Sequence, residues 1–364
     1  MNNVIEAKEN NRFSKDLTLI IKGILIVWLL FHHTLGSRHY IYDGSAISWI
    51  SKILSARGGA VVAGFAFLSG FGLNETYKAW LAKRIRANLG DPSLKEKLAF
   101  AYSRALRLLV SLWIVYIIFV GAILVFKNPD FLRDSYTGPI ALGVLKNLSG
   151  GLLPVHVGSV NKSWWFVRAI LSFYILYPFV KCFDKKWAFT ITLISFIVTI
   201  PVLDSPQNTH IFWYFQFFLG YYFSEASIFP RFIDKISDRI LIIGSALFFA
   251  ALNYIMIRFR SYPLFPLWGV GIIVFVYSIY RVVPAECLMW KPLRLLGKYS
   301  SDMYLIHVFV HGSLFPEIVF FSMNPIWILA SDVLICLLLS WLLSIIKSKT
   351  GLNNRLSRLC PDKQ

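Results

Sequence analysis

Long apolar stretches recur along the chain, and each is about as long as a helix that crosses a bilayer. The hydrocarbon core is ~30 Å thick, so a helix rising about 1.5 Å per residue needs about 20 apolar residues to cross it. We find about ten such stretches, near residues 17–36, 58–77, 104–126, 163–181, 187–203, 209–224, 240–257, 263–281, 300–321 and 325–346. The sequence therefore predicts an all-α fold, a polytopic membrane helix bundle with about ten transmembrane helices in a single domain. The fifth and sixth stretches are short and flanked by proline, so tilted or partly re-entrant helices are an alternative there.

Composition supports the same class of protein. Hydrophobic residues make up 57% of the 364 positions and charged residues only 15%, which excludes a soluble fold of ordinary composition. In a soluble protein, the net charge of +18 would suggest nucleic-acid binding. Here the basic residues lie in short loops beside apolar stretches, where they set topology and meet anionic lipid head groups. We therefore expect contact with membrane lipids and no nucleic-acid partner.

The distribution of basic residues predicts the orientation. If the N-terminus is cytoplasmic, the cytoplasmic segments hold 26 of the 37 Lys and Arg residues, and the external segments hold 9. The positive-inside rule then places both termini in the cytoplasm, namely a segment 1–16 and a basic tail 347–364. Cys182, Cys287 and Cys360 fall on the predicted cytoplasmic side and Cys336 in the last stretch, without metal-ligand spacing. We expect reduced thiols and no metal.

The first stretch, IKGILIVWLLFHHTLG at residues 21–36, carries groups that are costly in hydrocarbon. Lys22 and His33 are eleven residues apart, which on a helix is three turns plus about 20°. They therefore share one face, whereas His32 points about 100° away. Two interpretations are equally open from this stretch alone. Either Lys22 and His33 line a slot that crosses most of the membrane, or Lys22 extends to the inner head groups and the histidines lie at the outer interface.

Three other stretches contain candidate site residues. Ser69, Gly70 and Phe71 lie near the cytoplasmic end of a stretch rich in small residues, which usually means close helix packing. Arg104 and Arg107 share a helix face at a predicted cytoplasmic boundary; they suit a phosphate, although such pairs usually only set topology. The third set is spaced by 4, 3 and 4 residues and so forms one polar stripe on a helix: Ser300, Tyr304, His307 and His311. We interpret this stripe as a site rather than a helix contact.

Six segments, in this order and spacing, resemble acyltransferase family 3 of the integral membrane acyltransferases. They are KGILIVWLLFHH, FAFLSGFGL, YSRALRLLVSLW, WWFVRAILSFYILYP, YFQFFLGYYFS and LGKYSSDMYLIHVFV, and the resemblance runs from about residue 15 to residue 346. It implies a multi-pass protein of the cell membrane with about ten spans, and we expect that membrane to be the bacterial plasma membrane. It also implies transfer of an acyl group, which we expect to be acetyl, from cytoplasmic acyl-CoA (acetyl-CoA) to a hydroxyl of a cell-surface or extracellular glycan or a lipid-linked saccharide.

The motifs of the family carry over residue by residue. The family's basic residue, followed after ten residues by a histidine, falls on Lys22 and His33. Its paired arginines, Ser-Gly-Phe motif and Tyr-Leu-x-His motif fall on the other candidates: Arg104, Arg107, Ser69, Gly70, Phe71, Tyr304 and His307. Two departures matter. Many members have arginine where Lys22 stands, and many carry a glutamate where this chain has Ile170, with Arg168 nearby. These departures place the sequence in a divergent branch and leave its acceptor open.

The resemblance implies roles for these residues. His33 would act as the general base that takes the proton of a sugar hydroxyl as it attacks the thioester, with an acyl-histidine intermediate as the less favoured alternative. Ser69, Tyr304 or His307 would supply a hydrogen bond to the oxyanion. Lys22, Arg104 and Arg107 would bind the phosphates of acyl-CoA. We predict that the acceptor contacts Trp165, Arg168, His311 and Asp332.

Two other functions remain open from the sequence. A transporter or exporter of a glycan or glycolipid precursor would use its intramembrane charges as a proton relay: Lys22, Arg168, Glu317 and Asp332. Inverted repeats would favour transport, and we detect none in the sequence. The third possibility is an acyl-CoA binder or assembly subunit without transferase activity.

Overall fold

The structure is a computed structural model that describes residues 13–36, 40, 44, 45, 48, 51, 58–202, 210–259 and 264–351. All regular secondary structure in these ranges is helical, as the sequence predicts. Among the described residues, six helical segments are long and apolar enough to cross a membrane: Lys15–Leu35, Leu94–Phe126, Lys162–Val180, Asp238–Met256, Phe265–Val282 and Pro325–Lys349. The protein is therefore a multi-pass membrane protein. The count of about ten spans and the cytoplasmic placement of the termini stay predictions.

The longer helices of the described ranges are α1 (Lys15–Leu35), α2 (Val61–Arg86), α3 (Leu94–Val115), α4 (Ile140–Leu148), α5 (Trp165–Val180), α6 (Ala188–Thr199), α7 (Tyr214–Glu225), α8 (Asp238–Phe259), α9 (Phe265–Val282), α10 (Trp290–Phe309) and α11 (Pro325–Lys349). Shorter α-helices are Gly121–Phe126, Phe131–Ser135, Ile228–Arg231 and Pro316–Val319. Two π-helical segments, Tyr116–Val120 and Val310–Leu314, continue α3 and α10.

The third span begins earlier than hydropathy predicts. The apolar stretch starts at residue 104, but α3 starts at Leu94, after a turn that follows the end of α2 at Arg86. The cause is a capping box, in which the Ser93 hydroxyl accepts from the Glu96 backbone N–H and the Glu96 carboxylate accepts from the Ser93 backbone N–H. Helix α3 therefore has a polar beginning, and Arg104 lies ten residues inside it.

The fifth and sixth predicted spans are the short helices α6 and α7. Each has 12 residues, which corresponds to about 18 Å and is less than the thickness of a bilayer core. Short 3₁₀ segments, Ile200–Val202 and His210–Trp213, extend them. The Thr192 hydroxyl of α6 donates to the backbone oxygen of Phe218 in α7 at 3.0 Å, so the two helices pack against each other.

The chain divides into two compact units. Unit 1 comprises Met1–His32, Ile50–Glu75 and Lys185–Ser300, and unit 2 comprises His33–Trp49, Thr76–Asp184 and Ser301–Gln364. The predicted N-terminal segment and the tail beyond residue 351 lie almost entirely outside the described residues.

Helices in unit 1 approach each other at glycines. A Cβ atom built on Gly70 of α2 would lie 1.9 Å from the backbone oxygen of Phe217 in α7, and one on Gly220 of α7 would lie 2.0 Å from that of Phe67 in α2. The contact is therefore reciprocal, with each helix offering a glycine to a carbonyl of the other. Such close approach is typical of membrane helices, which gain van der Waals contact where side chains are small. This packing is what the small-residue stretch predicts.

A second reciprocal contact joins α1 to the beginning of α10. A Cβ atom on Gly23 would lie 2.1 Å from the Leu293 oxygen, and one on Gly297 would lie 1.8 Å from the Leu19 oxygen. The same ends are tied by an ion pair of 2.7 Å between Arg294 and Asp16.

Candidate functional site: a row of histidines ending at a buried aspartate

Three histidines lie in contact in unit 2. The ring centroid of His33 in α1 is 4.8 Å from that of His307 in α10, and the His307 centroid is 5.7 Å from that of His311. His33 is partly exposed, whereas His307 has no exposed surface and His311 is 5% exposed. The structure thus brings together three residues that the sequence selected on two separate stretches.

The adjacent histidine has a different neighbour. His32 packs against Gly58 in unit 1, where a Cβ atom on the glycine would lie 1.9 Å from the His32 Cβ. The helix is continuous from Lys15 to Leu35, so the two imidazoles point about 100° apart, as the helical phase requires. His32 and His33 therefore have separate surroundings despite being neighbours in sequence.

His307 is held in one tautomer by its own helix. Its Nδ1 atom lies 2.7 Å from the backbone oxygen of Tyr304. A carbonyl oxygen only accepts, so the proton of the neutral ring is on Nδ1 and the basic lone pair is on Nε2. Next to it, His311 lies in the π-helical segment Val310–Leu314 and not in a regular continuation of α10. The ring of His311 still contacts that of His307, so the predicted stripe persists across this change of helix type.

Asp332 of α11 ends the row. Its Oδ2 atom is 3.8 Å from Nδ1 of His311, its side chain has no exposed surface, and the Cys336 thiol donates to its Oδ1 at 3.6 Å. An isolated carboxylate in such a place costs several kcal/mol. The nearby imidazole and the thiol reduce that cost. Asp332 and His311, both predicted to contact the acceptor, thus face each other behind His307.

Two donors that immediately precede α5 also contact the site. The Asn161 amide and the Trp164 indole N–H both donate to the backbone oxygen of Leu305, at 3.2 Å and 3.0 Å. The Tyr304 hydroxyl donates to the backbone oxygen of Ser163. These contacts hold the turn of α10 that precedes His307. They also give the Tyr304 hydroxyl a backbone acceptor, and its oxyanion role stays a prediction.

Ser69 and Phe71 serve local packing in unit 1. The Ser69 hydroxyl donates to the Phe65 backbone oxygen of its own helix at 2.7 Å, so its proton is also engaged. The Phe71 ring lies 4.6 Å from that of Phe13 and 6.0 Å from that of Phe229. With the Gly70 contact described above, all three residues of the Ser-Gly-Phe motif have structural partners.

The predicted donor-binding cations belong to two helices. Lys22 is partly buried in α1 of unit 1. Arg104 and Arg107 are partly buried in α3 of unit 2, where the Arg104 guanidinium stacks 5.1 Å from the centroid of the Phe100 ring. Tyr174 of α5 lies within electrostatic range of both arginines. The Arg104 guanidinium therefore stacks on a ring of its own helix, and both arginines lie near Tyr174.

The family comparison decides the class of protein. A family model described as an acyltransferase domain matches residues 20–345, nearly the whole chain. The chain belongs to acyltransferase family 3. No curated protein and no solved structure matches it. The resemblance drawn from six short segments is confirmed, and the protein is a membrane acyltransferase.

Some residues of this family 3 protein escape prediction from sequence. Asn161 and Trp164 hold α10 beside His307, and the one sequence signal for Asn161 is that it caps the 3₁₀ helix Lys162–Trp164. Ile170 stands where many family members have glutamate, and it is buried in α5.

The cysteines give no sign of a metal site in the part of the chain that the structure describes. Cys182, Cys287 and Cys336 are free thiols there, and Cys360 lies outside that part. No group of three or more His, Cys, Asp and Glu residues in the described ranges is placed to hold a metal ion.

Proposed function

We propose that this family 3 protein moves an acyl group from cytoplasmic acyl-CoA to a hydroxyl of a cell-surface glycan, with acetyl as the expected acyl group and His33 as the general base. The observation that carries the proposal is the contact of partly exposed His33 with the buried row His307, His311 and Asp332. Ionisable groups inside a membrane bundle are rare and usually functional. The excess of basic residues in the predicted cytoplasmic loops supports an orientation with both termini inside and the acyl-CoA side facing the cytoplasm.

The reaction needs one base and one route for its proton. His33 removes the proton of the acceptor hydroxyl while the oxygen attacks the thioester carbonyl, and the C–S bond breaks as the new ester forms. The proton then passes from His33 to the departing sulfur of CoA, which restores the neutral imidazole. During this cycle His307 keeps the His33 ring in position. The Asp332 carboxylate at the end of the row favours the transient positive charge on the His33 imidazole.

The exporter alternative has less support from the placement of its charges. A proton relay through Glu317 requires a buried carboxylate. Glu317 is 70% exposed and lies 3.4 Å from Lys127 in an exposed ion pair.

Thiol release tests the proposed reaction directly. The purified protein, incubated with acetyl-CoA and a panel of surface polysaccharides, should release free CoA thiol only when a suitable acceptor is present. An equal amount of O-acetyl ester should appear on that glycan by mass spectrometry. An exporter or an inactive acyl-CoA binder would release no thiol with any acceptor.

Arg104 and Arg107 are expected to bind the phosphates of acyl-CoA. Each charge-assisted contact is typically worth ~1.5 to 3 kcal/mol, so each Arg→Ala substitution should weaken CoA binding about 10-fold to 10²-fold. Isothermal titration of CoA into the purified variants measures this loss. Lys95→Ala is the matched control, because Lys95 is an exposed cation at the start of the same helix. A folded double variant with unchanged CoA affinity would show that the pair only sets topology.

A further inference from the structure

Two cations of unit 2, Lys146 near the end of α4 and Arg168 in α5, both adjoin Gly151 in the turn that follows α4. The backbone N–H of Gly151 donates to the Lys146 oxygen at 2.9 Å, and a Cβ atom on Gly151 would lie 3.5 Å from the Arg168 Cβ. Gly151 has a φ of 82°, a conformation that glycine adopts without strain. Burial, and then the nearby charge of Arg168, lower the pKa of Lys146. The turn therefore brings two like charges within electrostatic range of each other.

The pair differs from four other cations on the described helices in its ion pairing. Each of those four has a carboxylate partner at 2.6 to 2.7 Å: Lys347 with Asp302, Arg294 with Asp16, Arg281 with Asp238, and Arg84 with Glu96. Within the described ranges, no carboxylate lies at ion-pair distance from Lys146 or Arg168. Both side chains are partly buried, and partial burial strengthens the repulsion between like charges. An anion between them would remove that repulsion.

Arg168 lies about one helical turn from Trp164, a residue that holds α10 beside the row of histidines. Arg168 follows Trp164 by four residues, or about 6 Å along α5, and Trp164 is the residue whose indole donates to Leu305 in α10. Trp165 lies three residues before Arg168 and so on a neighbouring part of the same helix face. Its ring is partly exposed and offers a flat apolar surface of the size of a sugar ring.

We propose that Lys146 and Arg168 bind an anionic group, a carboxylate or a phosphate, of the acceptor, which makes the acceptor an acidic saccharide. The inference rests on the proposed function, because it names the substrate class of that site. Arg168 offers two parallel N–H donors to such a group, and Lys146 adds a compact charge. Arg168 is a candidate from the sequence, whereas Lys146 becomes one only through its position beside Gly151 in the fold.

Binding of simple glycosides tests the pair without catalysis. The full-length protein is placed in nanodiscs of phosphatidylcholine, and saturation-transfer NMR measures its affinity for methyl glucuronide, methyl glucose 6-phosphate and neutral methyl glucoside. We expect at least one anionic glycoside to bind about 10-fold or more tightly than the neutral one. Lys146→Gln with Arg168→Gln should abolish that preference. Lys162→Gln, which removes an exposed cation from the same segment, should preserve it.

Equal affinity of the wild-type protein for all three glycosides, or a preference that survives the double substitution, would overturn the proposal. A lipid head group is the other source of an anionic oxygen. If nanodiscs containing phosphatidylglycerol reduce the wild-type preference to the level of the double variant, the pair is a lipid site and the proposal fails. The measurement needs no acyl-CoA, so its outcome is separate from thiol release: selective glycoside binding without any thiol release supports this site and contradicts the transfer reaction.

Discussion

Replacing His33 with alanine lowers acyl transfer by about 10²-fold or more, the usual contribution of a general base, whereas replacing His32 leaves most of the activity. The two residues are adjacent and both partly exposed, so hydropathy and depth treat them alike. Their surroundings differ, because His33 contacts the His307 ring at 4.8 Å and His32 packs against Gly58. Only His33 adjoins the buried row that ends in a carboxylate.

The comparison is made by thiol release at equal amounts of folded protein. The His33→Ala variant should still bind acyl-CoA with wild-type affinity, because the phosphates are assigned to other residues. His32→Gln is the matched control, since an amide of similar size keeps the packing on Gly58. If His32 proves indispensable and His33 does not, the assignment of His33 as the general base is wrong. Activity that follows protein yield in both variants would indicate a packing role for the two histidines.

Replacing Gly70 with alanine should prevent unit 1 from packing, whereas the same change two residues later should be harmless. A Cβ atom at position 70 would lie 1.9 Å from the backbone oxygen of Phe217, and no flexible side chain is there to move aside. Overpacking usually lowers the free energy of unfolding by ~1 to 3 kcal/mol. A clash with backbone should cost at least the upper value of that range. At Gly72 no heavy atom lies within 4 Å of the added methyl group. Alanine there should stabilise the helix by up to ~1 kcal/mol.

Folded yield and melting temperature in detergent measure both variants. The Gly70→Ala protein should be recovered poorly or melt well below the wild type, and Gly72→Ala should match or exceed the wild type. If Gly70→Ala melts normally but loses acyl transfer, the Ser-Gly-Phe motif has a chemical role that its contacts do not indicate.

The helical fold was predictable because apolar stretches of membrane length are visible in any one sequence. The boundaries of the helices were harder to predict. Hydropathy finds the residues that suit hydrocarbon, whereas the start of α3 is determined by the local hydrogen bonds of Ser93 and Glu96. A helix with a polar beginning therefore starts before its apolar stretch does.

The candidate site was predictable only within single helices. Spacing shows that Tyr304, His307 and His311 share a stripe, but it does not show which other helix lies beside that stripe. The neighbours of His307 and His311, namely His33 and Asp332, are 274 and 21 residues away in sequence, and no single-sequence pattern links them. Likewise, the carbonyl partners of Ser69 and Tyr304 became apparent only from the structure.

The reciprocal glycine contacts of unit 1 also restrict how its helices can move. In each contact, a screw displacement of one helix by a single residue, about 1.5 Å with a rotation of about 100°, would bring a side chain against the carbonyl that now faces a glycine. A displacement of this kind is therefore opposed in both directions for α2 against α7, and likewise for α1 against the start of α10. Each helix pair is expected to behave as a rigid body over the reaction cycle. Motions that admit substrates and release products must then come from side chains, loops and helices outside these two pairs.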